Sequence, residues 1–167
     1  MQSQIKIKEH SHILVMGVSG CGKSTIAKRL SAYFQRPFLE GDDFHPTENI
    51  TKMSNGIPLN DEDRAPWLSA INEALKQHSK GTVLSCSALK NEYRLILQEG
   101  ISNLLIVFLN GSFDLIYNRM RQRKDHFMPV ELLESQFRTL EIPDDCIHVS
   151  IDQSVDDMVK EIINKIN

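Results

Sequence analysis

The stretch His12-Ile13-Leu14-Val15-Met16-Gly17-Val18-Ser19-Gly20-Cys21-Gly22-Lys23-Ser24-Thr25 decides how the rest of the chain is read. A short apolar run leads into the pattern G-x-x-x-x-G-K-S over Gly17–Ser24, and a helical pattern, Thr25-Ile26-Ala27-Lys28-Arg29-Leu30, follows without a break. Strand, glycine-rich turn and helix N-terminus in that order form an anion cradle. Successive backbone N–H groups converge on one point, at the positive end of the helix dipole. Lys23 is spaced to reach the outer phosphates, and the Ser24 hydroxyl to ligate Mg²⁺. The sequence therefore predicts a nucleoside triphosphate site formed by Gly17, Val18, Ser19, Gly20, Cys21, Gly22, Lys23, Ser24 and Thr25.

Outward from this loop, short apolar runs alternate with helical patterns along the whole chain. That alternation predicts an α/β fold, a three-layer α/β/α arrangement around a five-stranded parallel sheet. The expected strands are 12–16, 37–40, 82–86, 104–109 and 147–151. The expected helices are 23–34, 67–78, 91–99, 113–123, 130–140 and 155–166. Leu104-Leu105-Ile106-Val107-Phe108-Leu109 is apolar on both faces, as a central parallel strand is. With 167 residues, no repeat and no low-complexity linker, a single domain is expected.

One segment interrupts the alternation. Residues 42–66 are polar and carry Pro46, Gly56, Pro58 and Pro66, so they read as a weakly regular insertion. It starts at the C-terminal end of the second strand, the sheet edge at which open α/β folds hold ligands. Asp42, the first carboxylate after that strand, is the candidate to take the proton of an acceptor hydroxyl. Asp43 reads as a solvated loop charge. Lys52 and Arg64 read as a clamp for an anionic or polyhydroxylated substrate. Trp67 opens an amphipathic pattern with Leu68, Ile71 and Leu75, which makes it core or pocket wall.

Two further features bear on chemistry. The third strand ends in Ser85-Cys86-Ser87, where many phosphate-loop proteins carry an aspartate on Mg²⁺, and this points away from switch-type GTPases. Arg119-Met120-Arg121-Gln122-Arg123-Lys124 ends a helix and is followed by Asp125-His126-Phe127-Met128-Pro129 and a new helix. This reads as a lid over about 119–138, in which Arg119 and Arg123 share a helix face towards the triphosphate and Arg121 points to solvent.

In these residues the chain resembles the gluconate kinase family, within the nucleoside-monophosphate-kinase-like phosphate-loop group. The carriers are GVSGCGKS at 17–24, GDDFHP at 41–46, NITKMSNGIPLNDEDRAPWL at 49–68, CSALKNEYR at 86–94 and HFMPVELLESQFRTLE at 126–141. The resemblance implies ATP-dependent, Mg²⁺-assisted phosphorylation of D-gluconate to 6-phosphogluconate, usually by a cytosolic homodimer. It implies catalytic roles for Lys23, Asp42, Arg119 and Arg123, and substrate contacts for Asp42, His45, Lys52, Arg64, Arg94, His126 and Gln136.

Composition sets the outer bounds. A formal net charge of −3 argues against a dedicated nucleic-acid or membrane-surface binder. Three cysteines, odd in number and without metal-ligand spacing, suit a reduced cytoplasmic protein. Neither a signal peptide nor a membrane span of roughly 18 apolar residues is legible. Two other readings stay open at this level. One is the same chemistry on shikimate, a nucleotide or another polyol; the other is a nucleotide-dependent regulatory protein whose basic stretch holds RNA or a partner.

Overall fold

The computed structural model describes residues 11–123 and 129–167. Five parallel strands, β1 (His12–Met16), β2 (Phe38–Glu40), β3 (Val83–Ser85), β4 (Leu104–Asn110) and β5 (Ile147–Ser150), pair in the order β2-β3-β1-β4-β5. Helices α1 (Lys23–Phe34), α2 (Thr47–Ser54), α3 (Asp61–Gln77), α4 (Asn91–Gln98), α5 (Phe113–Gln122), α6 (Val130–Thr139) and α7 (Val155–Ile166) flank the sheet. The expected α/β architecture is the observed one, with strand and helix ends shifted by a residue or so outside the insertion. Ile13, Leu14, Val15 and Met16 of β1 have no exposed surface, as befits the middle strand of a sheet covered by helices. The strand order diverges on either side of β1, and the loop after β1 therefore opens into a crevice at the switch point.

Helix α7 shows how pattern becomes packing. Met158, Val159, Ile162 and Ile166 are buried along one stripe, and α7 packs on α1 and β5. Each such side chain contributes about 1.5–3 kcal/mol of burial. Val155, expected in the same stripe, is 38% exposed because it sits in the first turn, past the edge of the contact.

The insertion is more regular than its sequence suggests. Residues 41–44 form a single 3₁₀ turn, 47–54 are α2, and α3 begins at Asp61 rather than at Trp67. A capping box explains the early start. The Asn60 side chain accepts from the Asp63 backbone N–H, and the Asp63 carboxylate accepts from the Asn60 N–H. Pro66 inside α3 removes one helical hydrogen bond. The carbonyl it leaves belongs to Glu62, an exposed residue.

Gly41 joins this insertion to the sheet at very close range. A Cβ there would lie 2.5 Å from the Ser85 carbonyl oxygen and 3.2 Å from the Cys86 Cα, both backbone atoms that have little room to shift. Gly41→Ala is expected to lower the unfolding free energy by about 2–3 kcal/mol, read from the urea midpoint.

Candidate active site

The loop between β1 and α1 closes on itself. Lys23 Nζ donates to the Val18 carbonyl at 3.1 Å, and Gly22 stands in the left-handed region at the helix N-cap. Gly20, at φ 83°, lies under α5, where a side chain would strike Met120 at 2.7 Å. In front of the loop lies a cavity of about 340 Å³ lined by Gly22, Lys23, Ser24, Glu40, Asp42 and Arg123. The thiol of Cys21 faces inward, and burial pushes its pKa up, so it serves packing rather than reactivity.

Glu40 is the residue that sequence reasoning missed here. Ser24 Oγ donates to a Glu40 carboxylate oxygen and lies 3.4 Å from Ser85 Oγ. Sheet register produces the cluster: Glu40 of β2 is level with Ser85 of β3, which is level with Val15 of β1. The carboxylate absent from the end of β3 thus comes from the neighbouring strand. An acidic residue closing the otherwise apolar Phe38-Leu39-Glu40 was the available signal. Among the described residues no three His, Cys, Asp or Glu side chains cluster as a closed metal cage. Ser24 and Glu40 are hard oxygen donors at the phosphate cavity, a pair that suits Mg²⁺ held largely by phosphate and water.

A second, tighter cavity of about 60 Å³ adjoins the first. His45, Arg64, Trp67, Ser87 and Gln136 are among its walls, and Ser19, Lys23 and Asp42 line both cavities. Arg64 is firmly oriented: Nη1 donates to the Leu59 carbonyl at 2.7 Å and to Tyr93 Oη at 3.0 Å, with the guanidinium 5.1 Å from the Tyr93 ring centre. Tyr93 in turn donates to Asp61 and holds that carboxyl below its ordinary range. Burial, followed by this hydrogen bond, pushes the Tyr93 phenol up to about 12. His45 stacks on Trp67 at 4.1 Å and 15°, and Trp67 Nε1 donates to the Gly41 carbonyl at 2.8 Å. Gln136 of α6 grips Ser19 twice, accepting from its backbone N–H at 2.7 Å and donating to its hydroxyl at 3.0 Å.

Three residues expected at the site are engaged elsewhere. Lys52 Nζ lies 2.9 Å from both Asp63 carboxylate oxygens, so its charge braces α2 against α3. The Asn60 N–H, followed by Lys52, holds Asp63 below its ordinary range. Arg94 is buried, donating to the Ala88 carbonyl at 2.7 Å and the Glu141 carbonyl at 3.0 Å. It ties down the turn in which Ala88 takes a left-handed φ of 44° and lines neither cavity. Arg119 donates to the Ile151 carbonyl at 2.8 Å, past the end of β5, while Arg123 reaches the phosphate cavity. The intervening turn places the two arginines differently. Arg121 lies over the Tyr117 ring at 5.7 Å. His126 falls outside the described residues.

Comparison with known proteins narrows the family. A family model for shikimate kinase matches residues 19–167. The thermoresistant gluconokinase of Escherichia coli K12 is 42% identical over 95% of this chain and 94% of its own length. A gluconokinase structure from Sinorhizobium meliloti 1021 superposes with a TM-score of 0.88 at 44% identity, covering 95% of this chain and 93% of the other. The chain belongs to the gluconokinase family. The likeness to a shikimate kinase structure from Aquifex aeolicus, with a TM-score of 0.60 and 18% identity, is one of fold alone. As a family member the chain is an enzyme, a phosphate-loop kinase. The gluconokinase motifs at 49–68 and 86–94 supply the walls and braces of the second cavity, and these are the parts that the wider fold does not dictate.

Proposed function

We propose that this kinase transfers the γ-phosphoryl group of ATP to the 6-hydroxyl of D-gluconate. The supporting observation is the junction of the two cavities: Lys23 and Asp42 line both the phosphate cradle and the pocket beside it. A donor and an acceptor bound on either side meet at these two residues. The hydroxyl oxygen attacks the γ-phosphorus, the bond to the bridging oxygen of ADP breaks, and the hydroxyl proton passes to Asp42. Lys23 and Arg123 offset the charge spread over the transferring group. Mg²⁺, when bound with ATP by Ser24 and Glu40, supplies further neutralisation of the phosphates. Arg64 suits the gluconate carboxylate because its fork is pre-set by Leu59 and Tyr93. His45, Gln136 and Ser87 face the hydroxyls.

The α5–α6 region acts as the lid in this reading, and Gln136 ties its position to the phosphate loop. Arg119 acts on the nucleotide side through the end of β5. Among the described residues no helix is long and apolar enough to cross a membrane, and Cys21, Cys86 and Cys146 are all free thiols. These features support a cytoplasmic enzyme, and the family resemblance supports a homodimer, which light scattering on the purified protein tests.

Coupled detection of ADP release across gluconate, shikimate, other sugar acids and neutral sugars tests the reaction. Release that depends on gluconate supports it, and release with shikimate but not gluconate overturns it. Within the reaction, Arg64→Lys is expected to raise the KM for gluconate about tenfold or more and leave the KM for ATP nearly unchanged. A point charge cannot replace a fork held on two acceptors, and tenfold corresponds to only about 1.4 kcal/mol.

A further inference from the structure

Beside the acceptor pocket, Asn49 is one of the few fully polar side chains in the interior, with 2% of its surface exposed. Its Nδ2 lies 2.9 Å from the Asp63 backbone carbonyl and 3.1 Å from His45 Nδ1. The carbonyl can only accept, which fixes the amide orientation: nitrogen, not oxygen, must face it. The same nitrogen then has one hydrogen left, and it points to His45 Nδ1. An amide nitrogen is no acceptor, so Nδ1 must present its lone pair. A neutral imidazole with a bare Nδ1 carries its proton on Nε2.

We infer that Asn49 is a positioning residue that locks His45 as the neutral Nε2–H tautomer, making His45 a hydrogen-bond donor to an oxygen of the acceptor substrate. The ring is held on two sides and free on a third. Trp67 stacks on one face at 4.1 Å, Asn49 occupies Nδ1, and the remaining polar edge belongs to the pocket that His45 lines. Nε2 has no hydrogen-bond partner among the described residues, and His45 lines that pocket. A doubly protonated ring would set Nδ1–H against the Asn49 N–H₂. Burial also disfavours the charged ring and outweighs the pull of Asp42; Arg64 acts in the same direction as burial. The consequence for specificity is concrete. His45 can satisfy a carboxylate or a hydroxyl lone pair and rejects groups that only donate, such as an ammonium at the same position.

The inference rests on gluconate occupying this pocket for its kinetic part, whereas the tautomer is a property of the unliganded protein. Long-range ¹H–¹⁵N correlation of the imidazoles, with His45→Gln used to assign the signal, reads it directly. The expected result at neutral pH is an imine-type Nδ1 and a pyrrole-type Nε2 for His45. A pyrrole-type Nδ1, or two protonated nitrogens, overturns the inference whatever the enzyme phosphorylates. Asn49→Asp replaces the donor by an acceptor and is expected to move the proton to Nδ1 or to charge the ring. With that change the KM for gluconate should rise about tenfold and the KM for ATP should hold within about twofold. An unchanged His45 spectrum in the folded variant, or equal losses for both substrates, also overturns it. Should Asn49→Asp not fold, the wild-type spectrum decides alone.

Discussion

Asp42→Asn is expected to lower kcat about 10³-fold and to leave the Kd for ATP within about twofold. Asp42 stands on the 3₁₀ turn after β2, exposed, at the line where the two cavities meet. An exposed carboxylate exchanged for its amide changes stability by less than about 0.5 kcal/mol, so a folding defect cannot imitate the loss. The chemical loss is far larger: 10³ in rate corresponds to about 4 kcal/mol of transition-state stabilisation. The amide keeps the shape and one acceptor oxygen but has no basicity, which isolates the proton-accepting role. Single-turnover phosphoryl transfer together with ATP-analogue titration measures both halves. Retention of more than about a tenth of the turnover, or a parallel loss of ATP affinity, would assign Asp42 to the nucleotide side instead.

How much of this was legible in the sequence depends on the range of the interaction. The phosphate loop is local: its glycines, Lys23 and Ser24 lie within eight residues, and strand, turn and helix appear where the pattern puts them. The sheet was equally legible, because a covered parallel strand must be apolar on both faces, as Val107, Phe108 and Leu109 are. The helices inside 42–66 were not legible. Their apolar content is low, and α3 starts on a reciprocal Asn60–Asp63 cap rather than on a hydrophobic period. The site residues divide in the same way. Asp42 and Arg64 stand out in the sequence because they lie on the insertion, whereas the partners of Lys52 and Arg94 were not legible because a cation's partner is a tertiary fact. Asp63 lies 11 residues from Lys52, and Glu141 lies 47 from Arg94. Tyr93 and Asn49 went unnoticed for a related reason: each acts through another side chain, and no spacing rule links residue 93 to residue 64.

Glu40→Gln is the second large effect, with kcat expected to fall about 10²-fold and the Mg²⁺ concentration for half-maximal rate to rise about tenfold. The argument runs through one proton. Ser24 Oγ has a single hydrogen, and in the structure it is directed to the Glu40 carboxylate. The hydroxyl lone pairs are thereby turned away from Glu40 and are free for a cation beside the phosphates. A glutamine can still accept that hydrogen, so the fold and the Ser24 rotamer survive. What disappears is a full negative charge at the strand end, and neutral acceptors orient and polarise a hydroxyl about half as strongly. Ser85 Oγ, at 3.4 Å, is too far and too neutral to take over. If Glu40 served only to close β2, the substitution would change the thermal midpoint and leave the Mg²⁺ dependence where it was. A shifted Mg²⁺ dependence at an unchanged midpoint separates the two roles. It would also account for a phosphate-loop kinase that carries Ser85 where a metal-binding aspartate stands in many others: register puts the required carboxylate one strand over, level with the same serine.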